Sequence, residues 1–138
     1  GVSKNITNFV LPLGASLNMN GAALFQGMAA VFIAQVFGID LDWKSLLTIV
    51  LTATLSTVGA ASVPTGSYVM LSVVFASVGL PKEGIAMLLG IDRVREMIST
   101  VLNILGDAVC AVYVARQENE LDERQYYHHE LVELESAD

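Results

Sequence analysis

The sequence predicts an all-α polytopic membrane protein, and three observations carry the prediction. Residues 5–39 and 45–81 contain no Asp, Glu, Lys or Arg, and about 20 mainly apolar residues suffice for a transmembrane helix. Charged residues make up only 15% of the 138, against about 25% in soluble domains, and the mean hydropathy is +0.58. In the last apolar segment the polar groups fall on one stripe of a helical wheel. The rival class is the buried core of a larger soluble protein, but a buried soluble helix seldom exceeds about 20 residues.

Charge is distributed unevenly. Of the formal net charge of −7, residues 1–115 contribute 5 basic and 6 acidic side chains, and residues 116–138 contribute 2 and 8. There is no basic patch to neutralise phosphates, so nucleic acid is excluded as a partner. The lone cysteine, Cys110, excludes a disulfide framework. With the first histidine at His128, a structural zinc site lacks ligands. No nucleophile sits beside a base, and the chain does not read as an enzyme. Gly1-Val2-Ser3-Lys4 is no signal peptide, and the expectation is a C-terminal piece of a longer polypeptide.

The first uncharged run, about residues 5–37, reads as a helix broken in mid-membrane. As one helix its 35 uncharged residues would reach about 52 Å across a hydrocarbon core of about 30 Å. The interruption is expected in Gly14-Ala15-Ser16-Leu17-Asn18-Met19-Asn20-Gly21, a stretch of poor helix formers. Non-helical backbone at that depth must be buried in protein or line a cavity, and its carbonyls are then available to ions. A simple packing kink is the alternative. Asp40 and Asp42 mark a polar connection, with Trp43 suited to a membrane interface.

The second run, about residues 45–80, is interrupted at Pro64 and Gly66. Its arms, about 45–57 and 68–80, are shorter than a crossing requires. They fit a re-entrant hairpin that enters and leaves on one side, or else two short spans in a thinned bilayer. After the turn at Pro81, a last helix is expected over about 84–115. At 100° per residue from Asp92, Glu96 falls at about 40°, Ser99 at about −20°, Asn103 at about 20° and Asp107 at about 60°, with Thr100 at the border. An ionisable group in a membrane helix is kept where it is paired, hydrated or functional. Asp107 with Asn103 and carbonyls of the Asn18 break would make an oxygen cage suited to a hard cation; an interhelical hydrogen-bond seam is the simpler reading. Arg93 and Arg95 are expected to snorkel to the interface, or Arg95 to reach Glu96 or a substrate carboxylate. Residues 117–138 form an acidic, solvent-exposed tail, in which His128 and His129 make a poor case for a metal site.

Three motifs carry a family likeness. Residues Leu11-Pro12-Leu13-Gly14-Ala15-Ser16-Leu17-Asn18-Met19-Asn20-Gly21-Ala22, Val58-Gly59-Ala60-Ala61-Ser62-Val63-Pro64 and Asn103-Ile104-Leu105-Gly106-Asp107 occur in this order. The chain resembles, over about residues 1–116, the C-terminal part of the transport domain of the glutamate/neutral amino acid transporters, the dicarboxylate/amino acid:cation symporters. The three motifs are similar to that family's broken seventh helix, the tip of its second re-entrant hairpin and its eighth helix. The resemblance implies a sodium-coupled symporter that works as a homotrimer by an elevator movement in the lipid bilayer, here of a prokaryotic plasma (inner) membrane. Six preceding helices and a first re-entrant hairpin would complete it.

Carried over residue by residue, the resemblance implies one sodium site at the backbone of Gly14 and Asn18 with the side chains of Asn103 and Asp107. A second would use backbone near Ser16, Thr57, Val58 and Ala60. Substrate would lie against Val63, Ser67, Glu96, Ser99, Thr100 and Asn103. Asn20 stands where the family usually has the Asp of a third sodium site, and Ala22 where some members have Thr. Glu96 replaces the usual Asp that takes the substrate amine. Ser99 stands where acidic-substrate members carry an Arg, and a serine offers no charged, bidentate fork. A small neutral amino acid is therefore the expected substrate. The alternatives are a dicarboxylate or acidic amino acid held by Arg95 and coupled to sodium or protons, and a channel or purely structural membrane subunit.

Overall fold

The computed structural model describes residues 1–59 and 66–127, and all its regular elements there are helical apart from one isolated β-bridge. Helix α1 (Lys4–Leu17) stops at Asn18 and Met19, whose ψ values of 73° and 55° leave the helical region, and α2 (Asn20–Val36) resumes at once. The break lies inside the stretch expected from sequence, at its C-terminal half; Gly14 and Ser16 stay helical. Segment 4–36 and segment 84–117 are each long and apolar enough to cross a membrane.

A left-handed Gly38, at φ 64°, turns the chain after α2. Helix α3 (Trp43–Gly59) then starts on Asp42, whose Oδ1 accepts from the Ser45 N–H at 2.8 Å and from Ser45 Oγ at 2.6 Å. These two bonds hold the Asp42 carboxyl below its ordinary value of 3.8. Helix α4 (Gly66–Ser77) packs beside α3. At 17 and 12 residues, they reach about 25 and 18 Å. Both are shorter than a hydrocarbon core of about 30 Å, and α3 runs beyond the arm expected at about 45–57. The proposed tip residues Ala60 and Val63 lie outside the described residues.

The last helix departs from expectation at its start. Helix α5 (Gly84–Leu88) and a single 3-10 turn (Leu89–Ile91) precede α6 (Asp92–Gln117). Gly90 within that turn supplies no side chain to hold a helical register. The acidic segment after α6 is also less featureless than composition suggests. The Ser3 N–H donates to the Glu120 carbonyl at 3.2 Å, the Asp122 N–H donates to the Gly1 carbonyl at 2.7 Å, and Val2 bridges to Leu121. A short helix α7 (Glu123–Tyr127) follows. His128 and His129 lie outside the described residues.

The apolar core lies between α2 and the α3–α4 pair. Phe25, Ala29, Ala30, Ile33 and Ala34 of α2 meet Ile49 and Ala53 of α3 and Leu71, Val74 and Phe75 of α4. The alanines let the helix axes approach, and the branched and aromatic residues fill the space. Gln26 is 1% exposed within this packing. Its Oε1 accepts from Ser56 Oγ at 2.9 Å, while its Nε2 has no hydrogen-bond partner among the described residues. Around this core the outer faces are apolar too: Leu24, Met28 and Phe32 on α2, and Val101, Ile104, Leu105 and Val109 on α6, are exposed. A surface of this kind suits lipid or further protein rather than water.

Candidate ion and substrate site

The site is assembled by α6 lying against both sides of the α1–α2 break. An interrupted helix leaves up to four carbonyls and four N–H groups without intrahelical partners. Here the Asn18 N–H returns to the Gly14 carbonyl at 2.7 Å. On the other side the Gly21 N–H donates to Asn103 Oδ1 at 2.8 Å. Asn18 Nδ2 donates to Asp107 Oδ1 at 2.7 Å. Two side chains one helical turn apart on α6 thus bind the two sides of the break.

Glycines make this approach possible. A Cβ on Gly14 would lie 2.3 Å from Asp107 Oδ1, one on Gly21 2.5 Å from the Ser99 Cα and carbonyl oxygen, and one on Gly106 2.7 Å from both the Asn18 and Asn20 amide nitrogens. Real Cβ atoms do not come so close. A side chain at Gly21 would push α6 off the break, because it meets backbone, and one at Gly14 or Gly106 would displace the Asp107, Asn18 or Asn20 side chain or do the same.

Asp107 is 8% exposed and lines a cleft of about 380 Å³ with Gly14, Asn18, Asn20, Gly106 and Cys110. A carboxylate so covered is costly to keep charged unless it is paired, and Asn18 Nδ2 gives it one donor. The oxygen-rich donor set and the close Gly14 backbone fit a hard monovalent cation in place of that amide. No group of three His, Cys, Asp or Glu side chains suited to a metal occurs among the described residues. A larger cavity of about 670 Å³ between α2 and α3 is lined mainly by Leu, Val, Ile, Met and Phe and offers little chemistry.

The other residues picked from sequence fall at different depths. Ser99 is buried, 8% exposed, where α2 crosses α6. Asn103 is half-buried; Glu96 and Thr100 are exposed on α6, with Thr100 Oγ1 donating to the Glu96 carbonyl at 2.8 Å. Ser67 is half-buried near the start of α4. Ser16 is exposed, its hydroxyl bonded to the Pro12 carbonyl. Thr57 is buried and bonded to the Thr54 carbonyl, and Val58 beside it is exposed. Helices α1 and α3 touch, which brings the elements carrying Ser16 and Thr57 together.

Arg95 corrects the expectation that it snorkels or pairs with Glu96. Its Nε donates to Asp92 Oδ1 at 3.2 Å, with Nη2 on the same oxygen, and its guanidinium lies 4.7 Å from the Phe25 ring centroid and 5.7 Å from that of Tyr68. Glu96 is instead paired with the exposed Arg93, at 3.7 Å. Sequence reasoning missed the Phe25–Arg95–Tyr68 stack and the Gln26–Ser56 bond. Both join different helices, which no local pattern reports. The glycine positions were legible only through the motifs that contain them.

The profile of the sodium:dicarboxylate symporter family matches residues 1–117. The chain is 49% identical over 108 residues to the neutral amino acid transporter B(0) of Mus musculus, covering 78% of this chain and 20% of that protein. It is 41% identical over 126 residues to the proton/glutamate-aspartate symporter of Escherichia coli K12, covering 91% and 29%. With the excitatory amino acid transporter 2 of Rattus norvegicus it shares 39% identity over 137 residues, covering 97% and 24%. The chain therefore spans less than a third of the length of these relatives. The chain belongs to the sodium:dicarboxylate symporter family, a family of integral membrane transporters and not of enzymes.

Proposed function

We propose that this chain forms the C-terminal part of a transport domain that couples sodium to the uptake of a small neutral amino acid. The observation that carries the reading is Asp107, buried against an interrupted helix with an amide nitrogen as its partner. In the proposed cycle sodium replaces Asn18 Nδ2 at Asp107, with Asn103 and the Gly14 and Asn18 backbone as further ligands. A second sodium would bind near Ser16, Thr57, Val58 and Ala60. Asn20 brings no charge to a third site. Substrate would then rest against Val63, Ser67, Glu96, Ser99, Thr100 and Asn103, with Glu96 taking the amine. By linkage, substrate raises sodium affinity by the factor that sodium raises substrate affinity.

Neutral substrate is favoured because Ser99 carries no charge and Arg95 is already engaged with Asp92. The relative named for neutral amino acids shares 49% identity and those named for excitatory and acidic ones 39% and 41%, which supports amino acid symport more firmly than it separates the two classes. The remaining helices, a first hairpin, a homotrimer and a plasma-membrane location belong to the same proposal. Sodium-dependent uptake by the intact transporter in proteoliposomes tests it. Asp107→Asn should abolish the sodium dependence, and Ser99→Arg should move preference toward aspartate or glutamate. Uptake driven by a proton gradient alone, or unchanged in Asp107→Asn, would overturn the ion assignment.

A further inference from the structure

Three inward-facing residues of α4, Leu71, Val74 and Phe75, are fully buried in the core. The same stripe reaches Tyr68 one turn earlier, which still packs on the core and there also meets the Arg95 guanidinium, 5.7 Å from the ring centroid. The opposite partner of that guanidinium is Phe25 of α2, at 4.7 Å. Asp92 fixes it from one turn back on α6, and the Arg95 side chain is only 11% exposed. The Tyr68 hydroxyl is buried without a hydrogen-bond partner among the described residues. An exposed i, i+3 ion pair alone contributes little. A covered guanidinium between two rings from two other helices joins α2, α4 and α6 at one point.

We propose that Arg95 is a positioning residue for the second hairpin arm: it holds Tyr68, and with it the end of α4 next to the tip, against α2 and α6. Below Tyr68 the arm is fixed by fully buried hydrocarbon; at Tyr68, only half-buried, the edge of the core is supplemented by a planar cation that the ring can leave. Opening of the arm therefore strips Tyr68 from Arg95 while Phe25 and Asp92 keep the guanidinium in place. Ser67, proposed to touch substrate, is the adjacent residue, so docking of Tyr68 sets the pocket without contacting the cargo. The inference rests on the hairpin reading above and is independent of which amino acid is carried.

The test uses the intact transporter in a cysteine-free background, with spin labels on Val69→Cys of α4 and Met97→Cys of α6. Arg95→Gln and Tyr68→Leu should each increase the long-distance population about two- to thirtyfold, the range for losing one cation–π contact. Tyr68→Phe should leave it unchanged, Arg95→Lys should be intermediate because an ammonium lacks the plane, and the double variant should match the worse single one. In uptake, Arg95→Gln should raise KM by a common factor for neutral and acidic amino acids. An unchanged distance distribution in Arg95→Gln, or a loss confined to acidic substrates, would overturn the proposal; the latter would make Arg95 a substrate ligand. A lower melting temperature with an unchanged distribution would reduce the stack to packing, and equally overturn it. Absence of any amino acid uptake by the parent protein would sink the transport reading, while the distance measurement would still judge Arg95.

Discussion

Gly14→Ala gives the sharpest perturbation of the ion site, because one methyl group strikes one carboxylate. The new carbon would stand 2.3 Å from Asp107 Oδ1 and 2.7 Å from Cγ, where ordinary contact is about 3.5 Å. Roughly 1 Å must be found. Either α1 and α6 separate, or Asp107 leaves its rotamer at about 0.5–1.5 kcal/mol and gives up the Asn18 bond, worth about 1.5–3 kcal/mol for a charged acceptor. Sodium displaces Asn18 Nδ2 in the proposed cycle, so that bond is lost to the ion-free state and the rotamer cost alone opposes the ion, raising half-saturating sodium by about 2- to 13-fold. Helix propensity works the other way, since Ala stabilises a helix interior over Gly by about 1 kcal/mol. Gly27→Ala is the control: a Cβ there meets nothing within 4 Å, so it carries the propensity gain without the clash. The assay is sodium titration of amino acid binding to the purified transporter, with melting temperature recorded in parallel. Gly14→Ala with parental sodium dependence, or Gly27→Ala with the same loss, would refute the steric argument.

Three further outcomes follow from the packing. Gly21→Ala places a methyl 2.5 Å from Ser99 backbone atoms, which cannot swing aside as a side chain can; overpacking of about 1–3 kcal/mol should lower the melting temperature well below that of Gly27→Ala. Ser56→Ala leaves Gln26 Oε1 buried without its donor, a cost of about 1–3 kcal/mol, whereas Ser56→Ala with Gln26→Leu should recover most of it; thermal unfolding of the parent and these two variants checks this. At Asp42 the folded carboxyl titrates below 3.8, so its stabilising effect is complete above that value and disappears as pH falls through the lower folded value. Amide exchange at Ser45, corrected for its intrinsic pH dependence, should show constant protection from neutrality to about pH 5 and loss only in stronger acid, and Asp42→Ala should lose it at every pH.

The broken helix was legible because Asn18, Asn20 and Gly21 are poor helix formers between two apolar segments. The polar stripe of α6 was only half legible. Ser99, Asn103 and Asp107 turn inward as the wheel requires, but Glu96, inside the same arc, is exposed. A wheel assumes one straight neighbour along the whole helix. The neighbour of α6 changes from α2 at Ser99 to α1 at Asp107, so the covered face moves round the axis. Arg95 was illegible for a different reason. Its surroundings come from Phe25 and Tyr68, on helices whose distance from α6 no local pattern encodes. The 3-10 turn at Leu89–Ile91 was missed because the apolar run through it is unbroken, and helix-period reading responds to composition before backbone geometry.

The most direct examination of the ion site is a structure of the intact transporter in a heavy monovalent cation, read by its anomalous scattering. The account predicts a peak bounded by Asp107, Asn103 and the Gly14–Asn18 backbone, with Asn18 Nδ2 withdrawn from Asp107 Oδ1. An Asn18–Asp107 hydrogen bond kept intact at saturating cation, with no peak beside it, would contradict the account.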